Sequence, residues 1–490
     1  MWEFILYFYG YFVFFYSLAL MISYVFLVVM AYSYSSRYRM WTLEYIRQMV
    51  ETSPYTPGVS IVAPAYNEEV TIVDNVHSLL AQKYPKFEVV IVNDGSKDKT
   101  LEKLIEEFEL VEVPYDYVEH IHCKPFKRMF KSTNLMYNKL VVVDKENGGT
   151  KADAVNGGLN VARYPYFINT DVDCILAKDA IYQCIFPVLL DHDIIAVSGT
   201  MSMSNGFSIE NGEIVEFKTS NNPIAVFQDL EYKRSFLVGK MGWSNINAMP
   251  NVSGGYGLFD TQVVIAAGGY GYDSFAEDMD MLYRMIAYCC DFDRPYRVVQ
   301  IPHTCCWTEG PGNIRQLYRQ RTRWGRGLIQ LMHKHCRMLL NPHYRRLGLI
   351  TLPYTFLFEF LAPIIEAVGF CLFIYLAFTG GVNWDTFWIV FFAVYLFSLM
   401  ISQFIIFYDY LLGGSYTKSR SYWKLLIAGI LEPFVYHPMV TFSSLVGYFK
   451  YITNQKATWV SMKRTGLNSK KKNDKKSNDQ QTLSATNTEQ

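Results

Sequence analysis

The chain has 490 residues and no net charge, and 51% of its residues are apolar, 16% aromatic and only 18% charged. This length exceeds one ordinary domain, and so few charges exclude a wholly soluble protein, so part of the chain is expected in a membrane. The neutral balance gives no reason to expect a nucleic-acid partner. Nine scattered cysteines without C-x-x-C spacing are typical of reduced thiols rather than of a zinc site or a disulfide framework.

An uncharged apolar run lies near the start of the chain, from Ile5 to Met30, and exceeds the roughly 20 residues that cross a bilayer. Arg37 and Arg39 follow it. Because basic residues favour the cytoplasm, the N-terminus is expected outside and the rest of the chain inside. We therefore assign a transmembrane helix to residues 1–34 and an amphipathic connecting helix to residues 35–56.

Strands and helices alternate after Val59. This alternation predicts an α/β domain over residues 57–312, with a mostly parallel sheet covered on both faces. Asp171 and Asp173 directly follow a predicted strand, Tyr166 to Thr170. Carboxylates there lie at the sheet edge where α/β proteins bind ligands, and such a pair suits a divalent cation shared with substrate phosphates. The alternative is a solvated turn, since polar clusters commonly close strands.

Five motifs occur in order: N-D-G at 93–95, K-A-x-A-x-N-x-G at 151–158, D-x-D at 171–173, E-D at 277–278 and Q-x-x-R-W at 320–324. Together they resemble the processive inverting glycosyltransferases of family 2, the membrane synthases of cellulose, hyaluronan, chitin and poly-N-acetylglucosamine. The resemblance covers roughly residues 57 to 340 and implies a nucleotide-sugar-binding GT-A domain. Asn93 stands where the family often has an acid.

The resemblance also implies roles for the motif residues. Asp278 would be the base that takes the proton from the acceptor hydroxyl, with its neighbour Glu277 as the less favoured candidate. Asp171 and Asp173 would hold Mg²⁺ or Mn²⁺. The UDP-sugar donor would be bound by Asn67, Glu68, Asp94, Lys151, Asp171, Gln320 and Arg323, although Asn67 and Asp94 also suit helix caps. The growing polysaccharide acceptor would be bound by Gly254, Gly255 and Trp324, although tryptophan also favours membrane interfaces.

The C-terminal part predicts interfacial helices over residues 313–348 and a transmembrane channel region over 349–450. Leu352 to Phe378 and Thr386 to Tyr408 are typical of spans. Leu425 to Phe449 is expected to be re-entrant or interfacial, because a full crossing would put a basic tail outside. Polar side chains in this region either line a polar route or pair with one another, namely Glu359, Glu366, Gln403 and Glu432.

The last part of the chain contains W-V-S-M-K-R at 459–464. This sequence resembles a family segment that follows the last membrane helix and caps the active site, so residues 451–466 are expected to form a gating segment. Residues 467–490 are polar and charged and are expected to form a disordered basic tail.

These features predict a processive inverting hexosyltransferase that polymerises UDP-glucose into a β-1,4 or mixed β-1,3/1,4 glucan and exports it through its own channel. The alternatives are a synthase of an N-acetylglucosamine polymer that uses UDP-N-acetylglucosamine, a transferase acting on polyprenyl phosphate, and a catalytically inactive binding subunit. The expected location is the plasma membrane, crossed several times, with the catalytic domain in the cytoplasm. Partner subunits for export or regulation cannot be read from the sequence.

Overall fold

A computed structural model describes residues 2–38, 41–210, 213–412, 416 and 419–455. The predicted tail at 467–490, and the predicted gating segment from residue 456 onward, lie outside the described residues. The helices are α1 Trp2–Tyr38, α2 Leu43–Thr52, α3 Ile72–Leu80, α4 Thr100–Glu107, α5 Lys151–Val161, α6 Ala180–Leu190, α7 Pro223–Lys233, α8 Met241–Asn245, α9 Thr261–Ala266, α10 Glu277–Asp291, α11 Ile314–Lys334, α12 Leu352–Tyr354, α13 Ala362–Thr379, α14 Trp384–Leu411 and α15 Ser419–Ile452.

Most strands belong to one ten-stranded sheet with the order β3-β4-β5-β2-β1-β6-β11-β8-β12-β7, and β9 pairs with β10 in a separate hairpin. The strands are β1 Val59–Ala65, β2 Phe87–Asp94, β3 Leu110–Val113, β4 Phe126–Ser132, β5 Leu140–Lys145, β6 Tyr166–Thr170, β7 Ile175–Leu176, β8 Ile194–Met203, β9 Ser208–Glu210, β10 Glu213–Glu216, β11 Tyr256–Asp260 and β12 Arg297–Thr308.

The centre of the sheet, β5-β2-β1-β6, is parallel, as the alternating pattern predicted. These strands are continuous runs of branched apolar residues because helices cover both faces. The sheet as a whole is mixed rather than mostly parallel, since β11 runs antiparallel to both β6 and β8 and the edge strands β3, β4 and β7 also pair antiparallel. An α/β domain of the GT-A class is therefore present, with Asp94 and the D-x-D pair at the carboxyl ends of the parallel strands β2 and β6.

Four helical segments of the described chain are long and apolar enough to cross a membrane: Phe8–Tyr38, Leu347–Thr379, Trp384–Leu411 and Arg420–Ile452. The first overlaps the predicted run Ile5 to Met30, and the second and third contain the other two predicted spans. The second is not regular, because π-helical turns occupy Leu347–Thr351 and Thr355–Phe360 and the helix bends before Pro363. The GT-A domain is thus fused to apolar helices, as expected.

The last helix, α15, is continuous across Pro433 and Pro438, so it is not a short re-entrant piece. Both of its ends contact the GT-A side of the protein. At the start, the Lys424 ammonium donates to the carbonyls of residues 219 and 220, at 3.3 and 3.1 Å. At the end, the Tyr451 hydroxyl lies 2.9 Å from His333 Nδ1 on α11. Both ends of α15 therefore contact one side of the protein, and its interfacial placement stays a prediction.

The contact between α15 and α11 is a close backbone approach. A Cβ on Gly447 would lie 2.5 Å from the carbonyl oxygen of Thr322, and a Cβ on Gly325 would lie 2.7 Å from that of Ser444. Only glycine permits such proximity at both positions. The chain therefore stacks α15 against the helix that carries the Q-x-x-R-W motif.

Candidate active site

One cavity of about 1930 Å³ lies between the carboxyl edge of the sheet and the helices α7, α10, α11 and α15. It brings together nearly every residue that the sequence assigned to the site. Its wall includes Glu68, Asp94, Lys151, Asp171, Asp173, Gly254, Gly255, Glu277, Asp278, Gln320, Arg323 and Trp324.

Asn67 was assigned to the donor site, but it is not among the described residues that line the cavity. Its backbone has a positive φ of 56°. Its side-chain oxygen accepts a hydrogen bond from the Lys97 N–H at 2.9 Å, and its own N–H donates to Ser96 Oγ at 3.0 Å. Asn67 therefore ties the loop after β1 to the loop after β2, and its role as a donor contact stays a prediction.

Asp94, at the end of β2, is held by a buried lysine that the sequence analysis did not single out. Lys145 ends β5 opposite Asp94, is fully buried, and places its ammonium 2.7 Å from Asp94 Oδ1. The same ammonium pairs with Asp153, and the Gly148 N–H donates to Asp94 Oδ1 at 3.0 Å. Asp94 is thus a fixed hydrogen-bond acceptor in the cavity wall. The sequence pattern that could have identified Lys145 is a lysine at the end of an apolar strand.

Lys151 begins α5 and joins two of the predicted site elements. Its ammonium lies 2.5 Å from Asp171 Oδ1 and donates to the carbonyl oxygen of Gly254 at 2.6 Å. Burial acts to lower the pKa of Lys151, but Asp171 and Glu277 outweigh it, so the pKa rises above its usual value and the ammonium stays charged. A permanent cation at a helix N-terminus is suited to a diphosphate.

The D-x-D pair forms a compact oxygen cluster. Ligand atoms of Asp171, Asp173 and Cys174 lie within 4.8 Å of one another. A hydrogen bond with Cys306 and burial raise the pKa of the Cys174 thiol well above its usual value, so the two carboxylates are the ligands that fit a hard cation. Gly255 leaves the cluster open, since a Cβ there would lie 3.5 Å from Asp171 Oδ2 and 2.7 Å from Met201 Cε.

Asp278 and Glu277 occupy the first turn of α10 and differ in surroundings. Asp278 accepts hydrogen bonds from the N–H groups of Gly254, at 3.1 Å, and Met279, at 2.9 Å. Burial raises the pKa of Glu277, and the charges of Lys151 and Arg323 oppose that rise. Glu277 therefore lies among the cations of the diphosphate region, whereas Asp278 is attached to the glycine loop assigned to the acceptor.

Trp324, on α11, has a rigid setting in the cavity wall and is 37% exposed. The Arg321 guanidinium lies 4.2 Å from the centroid of its ring. Arg321 in turn pairs with Glu231 on α7 and donates to the Tyr436 hydroxyl on α15 at 2.8 Å. The ring is thus held against a buried guanidinium, and its role as a sugar platform stays a prediction. Arg321 was inside the motif but had been given no role.

The cavity continues between the apolar helices, where Glu359, Glu366 and Glu432 line it. Two of these carboxylates are also paired. Glu432 accepts from the Arg234 guanidinium at 2.9 and 2.5 Å, and Glu366 lies 3.0 Å from His437 Nε2. Both carboxylates thus pair with basic side chains while they line the cavity, rather than with one another, and a polar route through the helices stays a prediction. Gln403 is not among the described residues that line the cavity. Its side-chain amide donates to the Leu426 carbonyl at 3.5 Å.

Comparison with known protein families gives two overlapping matches. The model for Glycosyl transferase family 2 matches residues 60–243, and the model for Glycosyl transferase family group 2 matches residues 171–408. The chain belongs to the family 2 glycosyltransferases. The two matches together run from β1 to α14, so they include the D-x-D, E-D and Q-x-x-R-W residues of this family 2 chain.

Curated relatives of this family 2 glycosyltransferase include two bacterial synthases. The poly-β-1,6-N-acetyl-D-glucosamine synthase of Staphylococcus aureus is 28% identical over 270 residues, 55% of this chain and 54% of that protein. The chain thus matches about half the length of this relative. The synthase of the same name from Staphylococcus epidermidis is 25% identical over 349 residues, 71% of this chain and 72% of that protein.

A solved structure with partial similarity is a mannosyltransferase from Pyrobaculum calidifontis in complex with GDP-Man and Mn²⁺. It is 18% identical and covers 88% of this chain and 100% of its own, with a TM-score of 0.49.

Proposed function

We propose that this family 2 glycosyltransferase is a membrane polysaccharide synthase that polymerises N-acetylglucosamine from its UDP-activated form. The observation that carries the proposal is the single cavity, whose wall runs from Asp94 and the D-x-D pair to the acidic residues of the apolar helices. A transferase that adds one sugar to a lipid carrier needs no such extension, and an inactive subunit needs no intact D-x-D, E-D and Q-x-x-R-W set. The cavity therefore favours a chain-elongating enzyme.

N-acetylglucosamine replaces the glucose expected from the sequence. The preference for UDP-glucose and a β-glucan product rested on local sequence likeness alone. The curated relatives reported above are named for a β-1,6-linked N-acetylglucosamine polymer instead. Hydroxyl-rich sugars present similar hydrogen-bonding groups, so the motif residues do not discriminate between them. We adopt the donor and linkage of these relatives as the proposal.

The proposed transfer is a single displacement at the anomeric carbon. The acceptor hydroxyl oxygen attacks that carbon, its proton goes to Asp278, and the bond to the diphosphate breaks with its electron pair on the leaving oxygen. Lys151 and Arg323, which face the same cavity, would stabilise the negative charge that develops on the leaving diphosphate. A divalent cation held by Asp171 and Asp173 would supply further neutralisation of the diphosphate.

The membrane arrangement follows from the same cavity. We infer a catalytic domain on the cytoplasmic side, with the N-terminal helix entering from outside. In this arrangement three segments cross the membrane: α1, residues 347–379 and α14. The helix α15 would lie along the surface, with both of its ends at the cytoplasmic face. A hydrophilic chain cannot enter hydrocarbon unaided, so the carboxylates Glu359, Glu366 and Glu432 would provide a polar route.

The test is a donor panel with the purified protein. Labelled UDP-N-acetylglucosamine, UDP-glucose and UDP-N-acetylgalactosamine are incubated separately, and any polymer is digested with glycosidases specific for β-1,6-linked N-acetylglucosamine, for β-1,4-linked N-acetylglucosamine and for β-glucan. We expect polymer from UDP-N-acetylglucosamine that only the β-1,6-specific enzyme degrades. Polymer from UDP-glucose alone would restore the glucan expectation, and single transfer without elongation would refute a synthase.

A further inference from the structure

One buried lysine in the cavity wall belongs to none of the five motifs. Lys240 ends the π-helical segment Arg234–Lys240, which joins α7 to α8. Its side chain is 4% exposed, and it lines the same cavity as Asp278. Its ammonium lies 4.3 Å from the centroid of the Phe236 ring. Among the described residues, no side chain or carbonyl forms a hydrogen bond or an ion pair with it.

We propose that Lys240 binds the terminal sugar of the acceptor chain beside Asp278, donating hydrogen bonds from its ammonium to the sugar oxygens. This inference rests on the proposed synthase function and adds to it an acceptor-binding residue. The ligand it requires is a neutral sugar with hydroxyl or acetamido carbonyl oxygens, because an ammonium has three donors and no acceptor.

The energetics of the site argue for a ligand. Burying an ammonium without an ion-pair partner is costly, so such groups are usually paired or serve a function. Within the described part of the chain, the Lys240 ammonium contacts the face of Phe236, which offsets part of that cost. The oxygens of an entering sugar would supply acceptors for the three donors of the ammonium.

The position fits the acceptor rather than the donor. Trp243, Ser253, Gly254 and Asp278 line the cavity together with Lys240. Asp278, the proposed base, is the charged group that acts on Lys240, and it accepts a hydrogen bond from the Gly254 N–H. The carbonyl oxygen of Gly254 accepts from Lys151 on the donor side. π-Helical turns are frequent at functional sites, and the Lys240 segment is one of them.

Burial lowers the pKa of Lys240 to about 8, and the Asp278 carboxylate opposes that fall. The other titratable groups that line the cavity around this segment are Tyr24 on α1, Glu231 and Tyr232 on α7, Arg234 in the segment itself and Glu359 beside α12. Of these, Glu231 and Arg234 are held in ion pairs with Arg321 and Glu432. Lys240 is charged below about pH 8 and loses its proton as the pH rises through that value, so acceptor binding should weaken there.

The test compares wild type with Lys240→Met and Lys240→Arg, with Lys139→Met as the matched control. Lys139 also places its ammonium over a phenylalanine ring, 3.9 Å from the centroid of Phe87, but it lies outside the cavity wall. Two rates are measured from pH 6 to 10 in detergent: incorporation of labelled sugar into polymer, and release of UDP by hydrolysis without an acceptor.

At pH 7, Lys240→Met should lose at least tenfold in polymer formation and keep UDP hydrolysis within twofold, while Lys139→Met should match wild type in both. Wild-type polymer formation should fall above about pH 8, and in Lys240→Arg this fall should disappear because a guanidinium stays charged. If Lys240→Met does not fold, the comparison of the alkaline fall between wild type and Lys240→Arg still tests the role of Lys240.

Polymer formation by Lys240→Met within twofold of wild type, or the same alkaline fall in Lys240→Arg, would overturn this inference alone. Absence of polymer from the wild type with every donor would overturn the proposed function, and this inference with it.

Discussion

Replacement of the proposed base, Asp278→Asn, separates chemistry from structure. The amide keeps the size of the carboxylate, and its oxygen can still accept one of the two N–H bonds, from Gly254 at 3.1 Å or Met279 at 2.9 Å. One neutral hydrogen bond contributes about 1 kcal/mol, so folding should change little. Loss of positioned proton transfer costs about 10² to 10⁴ in rate. That corresponds to about 2.7 to 5.4 kcal/mol of barrier, so the chemical effect dominates.

The assay measures polymer formation, donor binding by calorimetry and the thermal melting temperature of the same preparation. Asp278→Asn should bind donor and melt like wild type while polymer formation falls at least a hundredfold. Glu277→Gln is the matched control, since it removes the neighbouring carboxyl group, and it should lose less than tenfold. If Asp278→Asn kept more than about a tenth of wild-type turnover, a loss below 1.4 kcal/mol, the base would lie elsewhere.

Three further changes test the metal, the aromatic platform and the helix packing. Asp173→Ala should abolish polymer formation, and a chelator should do the same to wild type in a way that Mg²⁺ or Mn²⁺ reverses; full activity in excess chelator would remove the metal from the mechanism. Arg321→Met leaves the partly exposed Glu231 and the buried Tyr436 hydroxyl without their cation and should lower the free energy of unfolding by about 1 to 3 kcal/mol, measurable by denaturant titration. An unchanged midpoint would show that the pair contributes nothing. Gly447→Val places a methyl group against the Thr322 carbonyl, 2.5 Å from an ideal Cβ, so it should lower both the melting temperature and activity. Gly10→Val, with open space around its Cβ, is the control for it and should change neither, and equal behaviour of the two variants would contradict the α11–α15 packing.

The sequence was informative wherever chemistry is carried by a short motif at the end of an element. Parallel strands bring their carboxyl ends together, so Asp94 and the D-x-D pair were expected at one edge, and they line one cavity. Asn67 also follows a strand, but its side chain binds the neighbouring loop, and its role as a donor contact stays a prediction. Its partner Lys97 lies in that loop, and no local pattern distinguishes the two uses.

Residues that act through long-range contacts escaped the sequence analysis. Lys145 acquires its role from the register of β5 against β2, and Lys240 from burial in a cavity formed by distant segments. Both look like ordinary polar residues at the end of an apolar run. Composition also could not place α15, because an apolar helix of this length can cross a membrane or lie along it. Both of its ends contact one side of the protein, and its interfacial placement stays a prediction.

The central claim is that synthesis and translocation share one cavity, and sealed vesicles test it most directly. Purified protein is reconstituted with the GT-A domain facing out, and labelled UDP-N-acetylglucosamine is supplied outside only. We predict polymer that resists added glycosidase until detergent opens the vesicles. Glu366→Trp, which fills the cavity between the apolar helices, should yield shorter or less polymer with UDP hydrolysis largely intact. Polymer that stays wholly digestible in sealed vesicles would contradict the account.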